Sequence, residues 1–416
     1  MGNNSNNTSK QNAEFIRNII EENHDNIAFI VGNGIHLYVE NKEGKKRCSW
    51  KELLLTLWNK NNNNKLNDID KGISYTEFYD LLELKNWNHH KDKRKEEFHK
   101  TLLGLSKSYT RISDDMFNKM NMLSAIPIDK KPNLIRSLSE SEKTSLRSLI
   151  KAKSKLAESI KSCLESNVSD DEAISLMMNL LNDEYVKESL FNQTKMEIVN
   201  IMKNWEISDV IYNLVSSIKK LNSPLLTTNY DDVLSKSINA DFQTMKDLDG
   251  KIKRSDWYPW NCYYGDKNTT PDFGFGIWHI NGMIKYYRSI VIGLCDYTRS
   301  LDRARGMIQG KPIFQCENFN GKNQNYWIGY NTWLHFIFNR SLFVFGLSLD
   351  ENEVFLRWLL IQRAKYLSAY GKPQKAWFIV GPNDSINDGK RLFIESVGFE
   401  IISISDYKTI YEDVWQ

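Results

Sequence analysis

Residues 27–34 read Ile-Ala-Phe-Ile-Val-Gly-Asn-Gly, and this stretch decides the fold. Five apolar residues without alternation are typical of a strand that is buried on both faces, as in a parallel sheet. Gly32 and Gly34 allow a tight turn after the strand and let a phosphate approach the start of a following helix. An ordinary strand-to-helix turn is the alternative. Leu37 stands where a complete dinucleotide-binding motif has its third glycine, which disfavours a hydride-transferring dehydrogenase.

Four further apolar runs end in the same manner, each at a small or polar residue. They are 225–228 before Asn229, 275–280 before Asn281, 342–345 before Gly346, and 377–380 before Gly381. The carboxyl ends of parallel strands meet at one edge of a sheet, where ligands bind, so we expect these endings to converge in space. The sequence predicts an α/β fold: a Rossmann-like parallel sheet with helices on both faces, plus a large and mostly helical insertion.

The chain divides into three predicted regions. Residues 1–23 form an N-terminal tail or lead helix, of which the polar stretch 1–13 reads as disordered. The sheet domain is expected at 24–59 and 222–416, and 60–221 reads as a helical lobe that carries subunit or partner contacts. Within these regions, Ser49 and Glu52 match a capping box at the start of a helix. The apolar spacing of 210–221 predicts another helix.

Composition excludes several classes of protein. The 416 residues hold 55 Lys and Arg against 52 Asp and Glu, so the chain is nearly balanced and direct nucleic-acid binding is not expected. The 5 cysteines include no CxxC pair, so neither a disulfide framework nor a zinc site is expected, and no metal is predicted. No apolar run is long enough to cross a membrane, and the polar start carries no signal core. We therefore expect a cytoplasmic protein.

The second strand ending is Thr228-Asn229-Tyr230-Asp231. An asparagine at the rim of a sheet can hold a ribose hydroxyl or a water, and Asp231 can accept a hydrogen bond from the ribose. The alternative is structural, with Asn229 or Asp231 capping the helix that comes next.

Taken in order, the motifs resemble a known family. Four motifs resemble the sequence motifs of the sirtuin fold. They are Gly-Asn-Gly at 32–34, Thr-Thr-Asn-Tyr-Asp at 227–231, Trp-His-Ile-Asn-Gly at 278–282 and Phe-Gly-Leu-Ser-Leu at 345–349. More specifically, the chain is similar to the sirtuin-like NADases of bacterial anti-phage defence, over 24–58 and 222–416. The resemblance implies that NAD is the substrate and that its nicotinamide–ribose bond is hydrolysed to nicotinamide and ADP-ribose.

The resemblance also implies site residues. It assigns NAD contacts to Gly32, Asn33, Gly34, Thr228, Asp231, Gly346 and Ser348, and catalysis to Asn229, His279 and Asn281.

Two departures from the family pattern matter. Sirtuin deacylases carry a zinc module with paired CxxC, which this chain lacks, so protein deacylation is not expected. The family's catalytic histidine directly precedes the glycine, where this chain has Asn281. His279 lies two residues earlier on the same strand face, so it could reach the same pocket or be structural. If Asn281 replaces the base, binding survives and turnover falls, and the alternatives are a non-catalytic NAD or ADP-ribose sensor or a structural subunit of a defence complex.

The family resemblance implies control by oligomerisation or by a partner, because an unregulated NADase would kill its host. The expected states are a homo-oligomer, or a complex with a HerA-like ATPase or a phage-derived activator. Arg299, Arg303 and Arg305 form a basic cluster that could face phosphates or a partner, although a solvated helix face is the alternative.

Overall fold

The computed structural model describes residues 2–61, 64–70, 72–89, 193–246, 255–309, 327–370, 374–384 and 386–416. The chain forms two compact units, one comprising 1–82 and 195–416 and the other 83–194. Most of the predicted helical lobe, including all of 90–192, lies outside the described residues. The first unit holds the sheet.

The sheet has eight strands. They are β1 (Ile27–Val31), β2 (Leu225–Thr227), β3 (Phe242–Thr244), β4 (Cys262–Gly265), β5 (Gly276–His279), β6 (Ser341–Phe345), β7 (Ala376–Val380) and β8 (Glu400–Ser403). Their spatial order is β3-β4-β5-β2-β1-β6-β7-β8. The six strands from β5 to β8 pair in parallel, whereas β3 and β4 form an antiparallel edge.

This order confirms the predicted Rossmann-like α/β fold. Counted along the chain, the six parallel strands run third, second, first, fourth, fifth, sixth, which is the doubly wound order with its switch point between β1 and β6. The five apolar runs of the sequence are all strands of this sheet. The two antiparallel edge strands were not predicted.

Helices surround the sheet. Those with described bounds are α1 (Gly2–Glu22), α2 (Gly34–Glu43), α3 (Trp50–Asn61), α4 (Tyr75–His89), α5 (Asp209–Lys220), α6 (Val233–Ser237), α7 (Leu294–Gln309), α8 (Leu334–Asn339), α9 (Val354–Tyr370), α10 (Asp388–Ser396) and α11 (Tyr407–Tyr411). Residues 193–202 are also helical. Both α3 and α5 confirm predicted helices.

Alternation along the strands divides the core into two layers. In β1, Ala28 and Ile30 face a layer that includes α8 and α9, whereas Ile27, Phe29 and Val31 face a layer with α1, α5 and α11. Burial of both faces explains why the strands are continuous apolar runs. A third apolar cluster joins α3, α4 and the helical residues 193–202 beside the carboxyl ends of the strands.

The disordered lead predicted for 1–13 is wrong, because α1 begins at Gly2. Ala13, Ile16, Ile19 and Ile20 recur at helical spacing and are buried in the second core layer. Ser9 also shares a hydrogen bond of 2.7 Å with Thr409. The polar composition of the first turns concealed this apolar stripe.

Candidate functional site

A cavity of about 550 Å³ lies at the carboxyl ends of β1, β6 and β7. It occupies the switch point of the sheet, where open α/β proteins bind their ligands. Five of the residues predicted to contact NAD line it together: Asn33, Gly34, Thr228, Gly346 and Ser348.

Glycine is required where the turns after β1 and β6 meet. A β-carbon on Gly32 would collide with the carbonyl oxygen of Gly346. Gly346 itself has φ +65°, in the left-handed region that side chains disfavour. Gly34 donates a backbone hydrogen bond of 2.8 Å to the Gly346 carbonyl. The Gly-Asn-Gly motif therefore locks the two strand ends together, and Gly32 supports the cavity from beneath.

Helix α2 begins at this junction, and its first turn faces the cavity. Its N-cap residue, Asn33, makes no side-chain capping bond, and its Nδ2 donates to the carbonyl of Cys48 at 3.2 Å. The N–H groups of Gly34 and His36 donate to the carbonyls of Gly346 and Asn33, so the helix start offers the cavity mainly the positive end of its dipole. An anionic group in the cavity would be stabilised there.

Asn229 does not line the main cavity. Its Nδ2 donates to the carbonyl of Gly32 at 3.1 Å, and its backbone N–H donates to Thr227 Oγ1 at 3.1 Å. Both bonds are buried, so Asn229 fixes the loop after β1. It lines a much smaller void of about 20 Å³, which shares Asn33, Ser49, Trp50 and Thr228 with the main cavity.

His279 lies behind Asn229, at the end of β5. The ring is 2% exposed, and its Nδ1 lies 2.8 Å from the carbonyl oxygen of Asn229. Burial lowers the pKa of His279, although the Asn229 carbonyl and the charge of Asp231 oppose that effect. Its Nε2 has no hydrogen-bond partner among the described residues. The histidine is thus a neutral group below the cavity floor.

Asp231 is engaged away from the main cavity. Its Oδ2 lies 3.0 Å from Nε2 of His36, and its Oδ1 accepts from the backbone of Val233 at 3.0 Å, at the start of α6. Burial favours a raised pKa for Asp231, but His36 and the Val233 N–H outweigh it and lower the pKa. Asp231 thus closes an Asx turn just before α6, whose N-cap residue is Asp232 and makes no side-chain capping bond.

Asn281 is fully buried, next to Glu353, a residue that the sequence did not single out. Interaction with Asn281 favours the ionised form of Glu353, yet neither polar side-chain atom of Asn281 forms a well-directed hydrogen bond within the described structure. Glu353 and Tyr297 both line the main cavity, whereas Asn281 stands one layer back. Burial raises the pKa of Glu353 to about 7.

The outer wall of the cavity was also not predicted from the sequence. It is formed by the starts of two helices, with Ser49, Trp50 and Lys51 from α3 and Tyr75 and Thr76 from α4. Each start is a capping box. Glu52 accepts from the Ser49 N–H at 2.7 Å, as predicted, and Glu77 accepts from the Ser74 N–H at 2.9 Å. A Ser-x-x-Glu pattern before an apolar run was the available signal for the second box.

Charge around the cavity is mainly acidic. Among its described lining residues, Asp350, Glu353 and Asp384 are carboxylates and Lys51 is the single cation. Lys51 forms an exposed ion pair with Asp68 at 2.6 Å. Asp384 accepts from the Gly381 N–H at 2.6 Å and from the Tyr407 hydroxyl at 2.8 Å, which orders the loop after β7.

The basic cluster of α7 does not face this cavity. Arg299 pairs with Asp296 and lies over the ring of Trp257, and Arg303 lies over Tyr258. Arg305 pairs with Asp302 at 2.7 Å on the exposed surface. These contacts are those of a helix surface with local partners.

Metal ligands and membrane-spanning helices are both absent from the part of the chain that the structure describes. Among those residues, no group of three or more His, Cys, Asp or Glu side chains is placed to hold a metal ion. Within the same ranges, no helix combines the length and apolar character needed to cross a bilayer.

Residues 223–402 match the family model of the SIR2-like domain. The matched segment begins just before β2 and ends within β8, so it contains the turns after β2, β5, β6 and β7. The β1 turn at 32–34 lies outside the match but completes the same cavity. The segment is similar to SIR2-like domains in the region that forms this site, which supports an NAD-related function. No curated protein matches the chain.

Proposed function

We propose that this protein binds NAD in the cavity at the switch point and hydrolyses the bond between nicotinamide and ribose. One observation carries the proposal: the cavity lies at the switch point between β1 and β6, against turns supplied by the SIR2-like segment. Its volume of about 550 Å³ falls in the range of small-molecule sites. The start of α2 turns the positive end of its helix dipole towards the cavity, which suits a pyrophosphate.

The chemistry asks for positioning more than for acid catalysis. Nicotinamide departs as a neutral molecule from a cationic pyridinium, so no proton has to be delivered to it. The site must orient the ribose, exclude bulk water and stabilise a cationic sugar centre. The acidic lining suits that last requirement.

Asn229 and His279 would act as positioning residues in this site. His279 contacts the Asn229 carbonyl, and the Asn229 side-chain amide donates to the Gly32 carbonyl, so the two residues together hold the β1 turn. Asp231 and Asn281 would support the same floor from behind. Direct contact of Asn229, His279 or Asn281 with NAD remains a prediction from the family resemblance.

Thermal protection by NAD and nicotinamide release, measured on one preparation, test this proposal. We expect NAD to raise the melting temperature and nicotinamide to accumulate. Asn229→Ala should weaken both effects, because it frees the β1 turn. Asn200→Ala, at an exposed asparagine, is the matched control and should change neither. Unchanged melting with saturating NAD would refute the assignment of the site.

Binding without turnover is the second candidate, and the burial of residues 279 and 281 favours it. Neither a neutral buried imidazole nor a buried amide accepts a proton readily. A sensor would show full thermal protection by NAD with no nicotinamide released, under every activating condition.

For the biological role, we propose depletion of NAD during anti-phage defence, with control by self-association or by a partner such as a HerA-like ATPase or a phage protein. The order of the four motifs along the chain, which resembles that of the sirtuin-like NADases of defence systems, supports this role. Mass measurement of the purified assembly, and NAD levels in phage-infected cells that express the protein, would test both parts.

A further inference from the structure

Glu353 is a buried acid at the edge of the cavity. It directly precedes α9, lines the cavity and is 7% exposed. Its Oε2 is buried and has no hydrogen-bond partner among the described residues. Leaving a buried carboxyl oxygen unpaired is costly, and such groups call for an explanation beyond packing.

Among the residues that the structure describes, no cation compensates this carboxyl group. The charged neighbour that acts on it is Asp350, from the turn after β6, and it disfavours ionisation of Glu353. Tyr297 from α7 and Tyr230 from the β2 turn also face it, and burial raises the pKa of both phenols far above neutrality. Asn281, from the end of β5, is the neighbour that favours the charged form.

Burial and Asp350 together raise the pKa of Glu353 to about 7. Near neutral pH the carboxyl group therefore exists in both forms, which is the property required of a general base. The aspartate three residues earlier differs, because Asp350 accepts hydrogen bonds from Ser348 and from Asn352. Among the acids of this turn, Glu353 is the one that is buried and has a carboxyl oxygen without a hydrogen-bond partner in the described residues.

We propose that Glu353 is the proton acceptor of this cavity and acts on the water that attacks the ribose. This inference rests on the proposed hydrolysis of NAD. A water oxygen forms a bond to ribose C1′ as the bond from C1′ to the nicotinamide nitrogen breaks, and the electron pair of that bond leaves with nicotinamide. The proton lost by the water goes to the Glu353 carboxylate, and ADP-ribose is the second product.

The position of Asn281 supports this assignment. The family resemblance places a histidine there, and asparagine cannot take up a proton in the useful range. Because Asn281 interacts with Glu353, the acid stands beside the missing base. A carboxylate that moved into this role would compensate for the substitution.

Glu353→Gln tests the assignment, with Glu351→Gln as the matched control at an exposed acid two residues away. Nicotinamide release by the parent protein should rise with pH through about 7, as Glu353 loses its proton. Glu353→Gln should lower release by at least about 100-fold and remove that rise, while the Kd for NAD changes by less than about threefold. Glu351→Gln should match the parent. Release that persists in Glu353→Gln, with its rise intact, overturns the inference and leaves NAD hydrolysis standing.

A second readout does not depend on turnover. NAD brings a cationic pyridinium into the cavity, which should favour the Glu353 carboxylate and expel its proton. Calorimetric titration with NAD at pH 7, in two buffers of different ionisation enthalpy, should show proton release by the parent and none by Glu353→Gln.

The outcomes separate the two proposals. NAD binding with no nicotinamide release refutes hydrolysis and with it the role of Glu353 as the base, whereas nicotinamide release that is unchanged in Glu353→Gln refutes the base alone. Equal proton release by parent and variant overturns that role. Absence of NAD binding refutes the function and the inference together.

Discussion

Two buried titratable residues near the cavity respond to pH in opposite ways. Burial lowers the pKa of His279, so its folded form resists protonation, and it contributes stability above about pH 6.5 that is lost as the pH falls. Burial raises the pKa of Glu353, so its contribution is complete at low pH and is lost as the pH rises through about 7. Between about pH 4.5 and 6.5 the two effects therefore oppose each other, and between about pH 6.5 and 7 only the loss of stability from Glu353 remains.

Replacing Glu353 should show how much its ionisation destabilises the folded protein. Glu353→Gln keeps the shape but cannot ionise, so we expect it to stabilise the protein relative to the parent at pH 8 by up to about 3 kcal/mol. The difference should shrink towards zero near pH 4.5, where the parent carboxyl is neutral. Urea unfolding at several pH values measures this, and a constant difference across the range would contradict the buried-acid interpretation.

A histidine at position 281 should change the pH profile. In Asn281→His the imidazolium would lie beside Glu353 and, as a cation, would lower the pKa of that carboxyl. We expect the rise in nicotinamide release to move below about pH 7. Release at pH 6 should increase by up to about tenfold, because only about one-tenth of the parent carboxyl is ionised there. Asn339→His, at a half-buried asparagine remote from the cavity lining, is the control. An unshifted profile would mean that residue 281 does not act on Glu353.

Sequence could identify position 281 but not Glu353. The histidine missing before Gly282 is visible once the motifs are aligned in order. Asp350, Glu351, Asn352 and Glu353 form one polar stretch, and spacing alone does not say which member is buried. That depends on how α9 leaves the sheet, which is a tertiary property.

At the scale of elements, the sequence predicted what depends on a single run. Each parallel strand next to the cavity is an uninterrupted apolar run, and each was found. The strands β3 and β4 have little apolar patterning of their own. They are held by antiparallel pairing, β3 with β4 and β4 with β5, which the sequence does not reveal. The cavity wall from α3 and α4 was missed because it depends on tertiary packing of two capped helix starts.

The start of helix α1 was also missed from the sequence, and the packing of this helix gives a prediction. Ile16 is fully buried in the second core layer, whereas its neighbour Phe15 is 50% exposed. Ile16→Ala should lower the free energy of unfolding by about 2–5 kcal/mol, because it removes buried methylene groups and leaves a cavity. Phe15→Ala should cost less than about 0.5 kcal/mol. Equal effects of the two substitutions in urea unfolding would contradict the docking of α1.

For the whole molecule, the net charge says little about which ligand binds, whereas the charges around the cavity say more. The chain carries a net charge of +3, yet the described lining of the cavity holds three carboxylates and one paired lysine. A site with this lining tolerates a ligand of limited negative charge, held by the α2 helix start. The sheet order creates this arrangement, since it brings the turns after β1, β6 and β7 to one place.

The acidic lining predicts selectivity between dinucleotides. NADP differs from NAD by a 2′-phosphate of nearly two negative charges, and no unpaired cation among the described lining residues is available to meet it. We expect NADP to bind at least about tenfold more weakly than NAD, which corresponds to about 1.4 kcal/mol, and to protect the protein less against heat. The measurement is calorimetric or thermal titration with both nucleotides on the same sample.

Two controls identify electrostatics as the cause of this selectivity. Raising the salt concentration screens repulsion, so the preference for NAD should narrow. Asp384→Asn removes one lining charge while keeping a side-chain oxygen for the Gly381 N–H, and it should also narrow the preference. Equal affinity for NAD and NADP at low salt would place the adenine ribose away from these carboxylates. Asp384 lies on the β7 turn and Glu353 near the β6 turn, so the adenine ribose would then lie at neither of these two turns.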